Sequence, residues 1–316
     1  MVMFGKNYQE SHSIHLTWRC TLGNCPYCWV TRAIRSDPKY YHREEHAPEE
    51  WMTFFRSLKP AILDFVGGEP TLYRGFVDII KSLKGRHLYA PTSNLTGDGF
   101  LEFVEKCDPS YCLQVTASYH PTGRLSLREF LGRFNLLEGR KFPCSINLVV
   151  YPPLLKQILE AYDYFKGEGV RTIHLSPYEP FENVLKPYGG LAECNCGNTR
   201  LIVLPNGDVC RCISWCKHIG RRGENHLGNV FDGTFKPHGK PVLCDMYCEP
   251  LLEYDPTDGI TLRTYAKILK IPKEYEYRLK RRVITREDLL KLIQNPELQI
   301  KCMEGHECTT LLDLET

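Results

Sequence analysis

Long hydrophobic runs are missing from this sequence: no stretch approaches the roughly 18 consecutive apolar residues of a membrane span. Residues 1–19 also lack the apolar segment of a secretory signal peptide. Neither sign of charge dominates, because 40 Lys and Arg face 38 Asp and Glu. The net charge of +2 gives no reason to expect a nucleic-acid partner. These absences favour a folded cytoplasmic protein without a membrane span.

Cysteine, by contrast, is abundant, with 15 in 316 residues. Thiols stay reduced in the cytosol unless a metal or a reaction uses them, so we interpret them as ligands before disulfides. Three lie near the N-terminus, and seven crowd the stretch from 194 to 248. Those seven are Cys194, Cys196, Cys210, Cys212, Cys216, Cys244 and Cys248. Cys107, Cys112 and Cys144 lie in apolar stretches and are expected to be small buried hydrophobes. Cys302 and Cys308 match no motif.

Short apolar runs alternate with segments of helical spacing from residue 12 to about 180. The predicted strands are 13–19, 61–66, 87–92, 111–118, 144–150 and 171–176. The predicted helices are 48–58, 75–84, 98–106, 126–138 and 153–167. Repeated strand–helix units imply an α/β fold with parallel strands and crossover helices. The pattern alone leaves open a doubly wound sheet or an incomplete barrel.

The pattern of the sequence changes after residue 190. Residues 199–204 and 209–213 flank an Asn-Gly turn and predict a β-hairpin. Further on, Thr285 and Asp288 form the capping box of a helix predicted over 286–294.

The N-terminal cysteines Cys20, Cys25 and Cys28 follow the first predicted strand. Three thiolates in nine residues can wrap one metal centre and leave a position open, as catalytic metal sites do. In a four-iron cluster, three cysteines would leave one iron free for an outside ligand. The alternative is half of a zinc site, completed by a residue such as His12 or His42.

A second motif, Gly67-Gly68-Glu69-Pro70, ends the second predicted strand. Two glycines free the backbone to approach a ligand, and Glu69 offers an acceptor to an amino group. A glycine turn alone is a weak signal. Here it comes one strand after the cysteine triplet and at the same edge of the sheet.

Together the two motifs resemble the radical S-adenosylmethionine (radical SAM) superfamily, over residues 12–180. The resemblance implies a partial (β/α)6 TIM-like barrel in which Cys20, Cys25 and Cys28 hold a [4Fe-4S] cluster and SAM chelates its fourth iron. The cofactor-binding residues that it implies are Tyr27, Gly67, Gly68, Glu69, Pro70, Ser93, Asn94 and Ser118. This chain has four residues between its first two cysteines, where the family usually has three, and Gly23 is expected to let the loop absorb the extra one.

The later cysteines resemble the SPASM/twitch extension of many radical SAM enzymes. The resemblance implies that Cys196, Cys212, Cys244 and Cys248 hold one auxiliary [4Fe-4S] cluster. A zinc knuckle is the alternative, although the spacings fit a zinc ribbon poorly. Candidate catalytic residues are Cys194, Cys210 and Cys216, as hydrogen-atom donors or simply free thiols, and His120, which either faces the substrate or caps a turn.

The expected organisation is a radical SAM core (1–190), an auxiliary-cluster domain (191–250) and a helical extension (251–316). The expected function is SAM cleavage to a 5′-deoxyadenosyl radical, hydrogen abstraction, and oxidation or cross-linking with the auxiliary cluster as electron acceptor. An epimerase and a non-catalytic metal-stabilised scaffold or nucleic-acid module are the alternatives. An electron donor such as flavodoxin or ferredoxin is expected. Because the chain begins almost at strand 1, a small molecule, sugar or lipid is slightly preferred to a peptide substrate.

Overall fold

Six parallel strands build the barrel-like part of the fold in a computed structural model that describes residues 10–23, 25–31, 45–178, 192–194, 197–211, 226–239, 242–244 and 284–303. The strands are β1 (Glu10–His15), β2 (Ala61–Val66), β3 (Leu88–Ser93), β4 (Val115–Tyr119), β5 (Cys144–Val150) and β6 (Ile173–Pro177). Each pairs in parallel with the next. The predicted partial (β/α)6 barrel is confirmed.

In the described part of the chain, helices of seven or more residues connect these strands. They are α1 (Pro48–Ser57), α2 (Phe76–Ser82), α3 (Phe100–Lys106), α4 (Leu127–Gly139) and α5 (Leu155–Gly167). Their apolar faces and the sheet enclose a core rich in aromatic rings, including Phe55, Phe65, Phe76 and Phe103. Each fully buried large apolar side chain contributes about 1.5–3 kcal/mol. The prediction for Cys107 and Cys112 is confirmed, since both are 2 % exposed within this core.

The later strands extend the same sheet. β8 (Arg200–Val203) and β9 (Asp208–Cys210) form the predicted hairpin, and β10 (His226–Asn229) pairs with β9. β8 also lies parallel to β1, so the sheet order is β10-β9-β8-β1-β2-β3-β4-β5-β6. A separate pair joins β7 (Ala192–Cys194) to β11 (Val242–Cys244).

Two helices, α6 (Arg286–Gln294) and α7 (Pro296–Met303), follow near the end of the chain. The predicted capping box is confirmed: the Thr285 hydroxyl donates to the Asp288 carboxylate at 2.8 Å and accepts from the Asp288 backbone N–H at 3.2 Å. α6 packs on α5, and Arg286 forms a bidentate pair with Asp163 at 2.6 and 2.7 Å. Among the described residues, no helix has the length and apolar character that crossing a membrane requires.

In the barrel, two predicted strands differ from the structure by four residues at one end, whereas 87–92 and 171–176 are shifted by one or two residues. The first was expected at 13–19 but ends at His15, because the chain then leaves the sheet and bonds to the turn after β2. The fourth was expected from residue 111, but Pro109–Tyr111 forms a short 3₁₀ turn capped by Asp108.

Candidate functional site

The turn after β2 is fastened to the segment that leads into the first cysteine. The backbone N–H of Gly68 donates to the Thr17 carbonyl at 3.0 Å, and that of Glu69 donates to the Arg19 carbonyl at 2.7 Å. A Cβ on Gly68 would lie 2.1 Å from the Arg19 oxygen. Gly67 has φ +116°, and its Cβ would lie 2.9 Å from the His15 ring. The glycines thus admit the chain that enters the cysteine loop, and their contact with a ligand stays a prediction.

Glu69 is fully buried beneath this turn. Its Oε1 accepts from the Thr71 backbone at 3.2 Å, the Thr71 hydroxyl at 2.6 Å and the Ser93 hydroxyl at 2.8 Å, whereas Oε2 accepts from the Asn94 backbone at 2.7 Å. Burial raises the pKa of Glu69, and these bonds oppose the rise. Among the described residues, Oε1 therefore accepts three hydrogen bonds and Oε2 accepts one, so Oε2 is the carboxylate oxygen with fewer donors around it.

The end of β3 connects Glu69 to the cysteine loop. The Ser93 hydroxyl donates to Glu69 and accepts from the Leu95 backbone at 2.9 Å, so this side chain positions the carboxylate. The Asn94 side-chain amide lies 3.5 Å from Sγ of Cys20 and 3.3 Å from the Thr21 hydroxyl. Both predicted residues therefore lie at the site and hold its parts together.

The cysteine loop accommodates its extra residue at Gly23, which has φ +64°. Burial raises the pKa of the Cys20 thiol, and the Leu22 and Gly23 backbone opposes the rise. At the other end of the loop, the Cys28 backbone N–H donates to the Cys25 carbonyl at 3.0 Å. The left-handed conformation at Gly23 agrees with the expected longer loop.

Cys25 and Tyr27 pack against the loop that follows β4. The His120 ring stacks on Tyr27, with centroids 5.7 Å apart and planes 12° apart. Its Nδ1 lies 2.9 Å from the Tyr27 hydroxyl and 3.7 Å from Sγ of Cys25. On its other side Tyr27 contacts Tyr151, which follows β5 and itself packs on Tyr178 after β6. The aromatic row ties the cysteine loop to three strand ends.

The three N-terminal thiols do not form a single-ion site. Burial raises the pKa of Cys25 to about 12, and Cys28 and Cys20 add to the rise. No three Cys, His, Asp or Glu side chains in the described part of the chain are grouped closely enough to hold one metal ion. Zinc would need its sulfurs about 3.8 Å apart, given Zn–S bonds of about 2.3 Å.

His12 does not complete a zinc site, because its ring is committed elsewhere. It is fully buried, accepts from the Leu201 backbone at 3.2 Å through Nδ1, and bonds to Glu10 at 3.3 Å through Nε2. His42, the other suggested ligand, lies outside the described residues.

Ser118 is buried near the end of β4, and the strand register places it beside Asn147 of β5. The Asn147 side-chain oxygen accepts from the Ser176 hydroxyl of β6 at 2.5 Å. Polar groups thus continue along β4, β5 and β6. Arg124 is exposed. The contact of Ser118 with the cofactor stays a prediction.

The structure describes only some of the cysteines that are candidate auxiliary ligands or hydrogen-atom donors. The backbone register of β7 and β11 places Cys194 opposite Val242, two positions from Cys244. Segments far apart in sequence are therefore adjacent here. Cys196, Cys212, Cys216, Cys248 and Cys308 lie outside the described residues, and Cys302 is described only as backbone of α7. Cys210 is 3 % exposed, in an apolar cluster with Trp18 and Ile202 against which Cys28 packs.

Sequence reasoning missed two groups of the site. Thr71 supplies two of the donors to Glu69. Inside the sheet, Asp64 faces Arg200 at 3.9 Å; burial raises the pKa of Asp64 to about 6, and Arg200 opposes the rise. Both could have been found from the sequence, because Asp64 interrupts an apolar strand and Thr71 follows Glu69 closely.

Comparisons with known proteins agree with this fold. Native anSMEcpe with bound AdoMet superposes with a TM-score of 0.51 at 14 % identity, over 90 % of this chain and 100 % of that one. Native anSMEcpe with AdoMet and the Kp18Cys peptide gives 0.48 at 16 % identity, over 71 % and 79 %. Streptococcus suis SuiB bound to its precursor peptide SuiA gives 0.40 at 14 %, over 80 % and 66 %. No protein-family model and no curated protein sequence matches the chain.

The first of these likenesses establishes the fold. The chain shares the partial-barrel fold of an AdoMet-bound protein across nine-tenths of its length. This likeness confirms the predicted partial-barrel fold.

Proposed function

We propose that this chain is a radical SAM enzyme whose Cys20, Cys25 and Cys28 hold a SAM-binding [4Fe-4S] cluster. One observation carries the proposal: backbone hydrogen bonds join the cysteine loop to the Gly67–Pro70 turn at the carboxyl edge of the sheet. Active sites of (β/α) barrels lie at that edge. The two motifs that the family uses for cluster and cofactor thus form one surface.

When bound, the cluster would supply the electron that cleaves SAM to methionine and a 5′-deoxyadenosyl radical, and that radical would take a hydrogen atom from the substrate. In this proposal Oε2 of Glu69, which accepts one hydrogen bond among the described residues, would accept a second from the SAM ammonium. Thr71 and Ser93 keep that carboxylate in place, and Asn94 keeps Cys20 beside it. Tyr27 and Ser118 complete the cofactor site.

The second part of the proposal concerns the later cysteines. Cys196, Cys212, Cys244 and Cys248 would hold an auxiliary [4Fe-4S] cluster in residues 191–250, between the core and the C-terminal extension. The pairing of β7 with β11 supports it, because it draws segments around Cys194 and Cys244 together. A cluster closed by four thiolates suits electron transfer, so oxidation or cross-linking of the substrate is favoured. The electron donor would be a cytoplasmic flavodoxin or ferredoxin.

The epimerase alternative requires a cysteine that returns a hydrogen atom to the substrate. Cys210 is a poor donor for this purpose, since it is buried among apolar side chains on the hairpin. Cys194 and Cys216 stay as candidates. Oxidation therefore stands as the preferred outcome.

The substrate preference for a small molecule, sugar or lipid gains no support from the comparisons. anSMEcpe, whose fold this chain shares, is also known with the Kp18Cys peptide bound. That finding counts against the preference, and a substrate screen for this chain should include peptides.

The proposed function is tested by anaerobic reconstitution with iron and sulfide, followed by SAM and dithionite. We expect brown protein that forms 5′-deoxyadenosine. Cys28→Ala should abolish the product, whereas Cys144→Ala, which removes a half-buried thiol at the start of β5, should not.

Two outcomes would reject the proposal. Wild-type protein that holds only zinc and forms no 5′-deoxyadenosine would indicate a metal-stabilised scaffold. Equal 5′-deoxyadenosine from wild type and Cys28→Ala would exclude the N-terminal triplet as the source of the chemistry.

A further inference from the structure

The inner face of the barrel carries side chains that are only half-buried. Successive residues of a strand point to opposite faces of the sheet. On β2, Leu63 and Phe65 pack into the core beneath the helices, whereas Asp64 and Val66 point the other way and are half-buried. The neighbouring strands alternate in the same manner, and their half-buried inner residues include Ala90, Thr92, Thr116, Asn147 and Val149. Barrels usually fill their interior with packed side chains, so this exposure indicates room for a ligand.

The carboxylate of Asp64 lies inside this space, between its two ends. An apolar cluster closes the amino end of the strands and consists of Ile62, Leu88 and Leu113. Asp64 lies further along β2, level with Ser13 of β1 and Ala90 of β3. It precedes Gly67 by three residues, which is about 10 Å along a strand. A ligand that enters from the carboxyl edge would therefore meet Asp64 before it reaches the apolar cluster.

Asp64 has few donors for an acid in such a place. Its side chain is 14 % exposed, and its Oδ2 accepts one long hydrogen bond, from the Ser11 hydroxyl at 3.3 Å. Oδ2 lies 3.9 Å from Nη2 of Arg200, which is too far for a hydrogen bond. Within the part of the chain that the structure describes, Oδ1 has no donor. Glu69, by contrast, accepts four hydrogen bonds.

Arg200 balances the charge of Asp64 without occupying its carboxylate. The Arg200 side chain comes from β8, is buried, and donates from Nη2 to the Ser13 hydroxyl at 3.2 Å. Burial raises the pKa of Asp64 to about 6 and Arg200 opposes the rise, so most of these carboxyl groups are ionised at pH 7. A charged acceptor forms strong hydrogen bonds. Because the pair has no net charge, a neutral donor suits Oδ1 better than a cation.

We propose that Asp64 is a specificity-determining residue whose Oδ1 accepts a hydrogen bond from a hydroxyl or amide N–H group of the substrate. This inference rests on the proposed function, because it takes the barrel interior as the substrate site. It also narrows the substrate class. A polar group, carried by a sugar or by a peptide side chain, satisfies the carboxylate, whereas the apolar chain of a lipid would desolvate it without offering a donor.

The test compares small probes that differ by one donor. The full-length protein is reconstituted with iron and sulfide and supplied with SAM but no reductant, so that no turnover occurs. One pair is N-acetylthreonine amide and N-acetylvaline amide, and the other is methyl glucoside and its 6-deoxy form. The two pairs distinguish a peptide group from a sugar. Ligand-observed nuclear magnetic resonance gives the dissociation constants, and we expect the donor-bearing member of at least one pair to bind about tenfold more tightly.

Three variants assign this preference to Asp64. Asp64→Leu removes the acceptor and should bring the two dissociation constants of the pair within about twofold of each other. Asp64→Asn retains an acceptor oxygen and should keep part of the preference. Asp78→Leu makes the same change at an exposed position on α2, so this matched control should keep the wild-type ratio.

The outcomes separate this inference from the proposed function. Wild-type protein without an iron–sulfur cluster refutes the function, and the inference with it. Wild-type protein that has the cluster but binds both members of each pair equally, or binds neither, refutes the inference alone. An unchanged preference in folded Asp64→Leu also refutes it.

A measurement on the wild type decides the case in which Asp64→Leu does not fold. Carbodiimide and an amine label accessible carboxylates, and mass spectrometry locates the labels. Labelling of Asp64 that the donor-bearing probe suppresses supports the proposal. Asp64 that stays unlabelled, while the exposed Asp78 reacts, would be a structural partner of Arg200 and would overturn it.

Discussion

At the scale of single residues, the glycines after β2 are required by neighbouring backbone. The Arg19 carbonyl lies so close to Gly68 that a methyl group would overlap it. Backbone cannot swing aside as a flexible side chain can, and the same carbonyl accepts the bond from Glu69. The position therefore controls how the first cysteine approaches the site.

We expect Gly68→Ala to destabilise the protein by about 1–3 kcal/mol, the usual cost of overpacking, and to impair iron uptake. Urea unfolding followed by circular dichroism measures the first effect, and iron analysis measures the second. Gly132→Ala is the matched control: Gly132 lies within helix α4 with open space around it. That variant should gain about 0.5–1 kcal/mol. A Gly68→Ala protein as stable as wild type would contradict the role assigned to the turn.

At the scale of elements, much of the fold followed from local pattern. The bounds of strands 61–66 and 144–150 were predicted to the residue, because apolar runs of that length between helical segments are typical of buried strands. The first strand was misplaced because Leu16 and Trp18 are buried, yet they pack outside the sheet. Their burial depends on contacts from distant parts of the chain, which hydrophobic pattern does not reveal.

The site shows the same division between local and distant information. The motifs placed Glu69, Asn94 and the cysteines at one edge of the sheet. They did not show that Ser93 donates to Glu69, or that Nδ1 of His120 lies near Sγ of Cys25, because those contacts join separate strand ends. Spacing along the chain predicts which residues meet at an edge, whereas three-dimensional packing decides their partners.

The hairpin of β8 and β9 is locked by a side chain from β10. The Asn229 amide donates to the Asn206 carbonyl at 2.7 Å and to the Asp208 carboxylate at 3.0 Å. We expect Asn229→Ala to cost about 1–3 kcal/mol, because polar partners lose their donor. The control is Asn135→Ala on the exposed face of α4, which should change stability by less than about 0.5 kcal/mol. Equal stabilities of the two variants in urea would show that Asn229 does not secure the hairpin.

A buried histidine makes stability depend on pH. His87 accepts from the Ala61 backbone at 3.2 Å and bonds to the Phe55 carbonyl at 2.9 Å, joining the end of α1 to β2. Burial lowers the pKa of His87 to about 4, against about 6.5 in an unfolded chain. Below pH 6.5 the unfolded chain binds the extra proton, so stability falls with pH until about pH 4.

Between pH 7 and pH 4.5 we therefore expect wild type to lose about 2 kcal/mol more than His87→Gln, which retains a donor and an acceptor but does not titrate. The free energies of unfolding of both proteins in urea at the two pH values provide the measurement. If wild type and His87→Gln lose the same free energy of unfolding between the two pH values, His87 is not the group that titrates.

At the scale of the whole molecule, the sheet and the core cross the boundaries expected between domains. β8 pairs with β1 beyond residue 190. The C-terminal segment contributes Ile284, just before α6, and Leu289, Leu292 and Leu298 of the two helices to the core that the barrel helices build. Elements that share one core unfold together in small proteins, so the described C-terminal helices should not melt separately.

This expectation is tested at Leu289, which is fully buried where α6 packs on α5. Leu289→Ala should cost about 2–5 kcal/mol through lost burial and a residual cavity. If α6 belongs to the common core, the variant shifts the entire unfolding transition, followed by near-ultraviolet circular dichroism and tryptophan fluorescence together. Ile300→Ala, at a position 56 % exposed on α7, should leave that transition in place. The contrary result is a separate transition at lower urea concentration, with the midpoint of the barrel signal unchanged. That result would show that the C-terminal helices unfold as an independent unit.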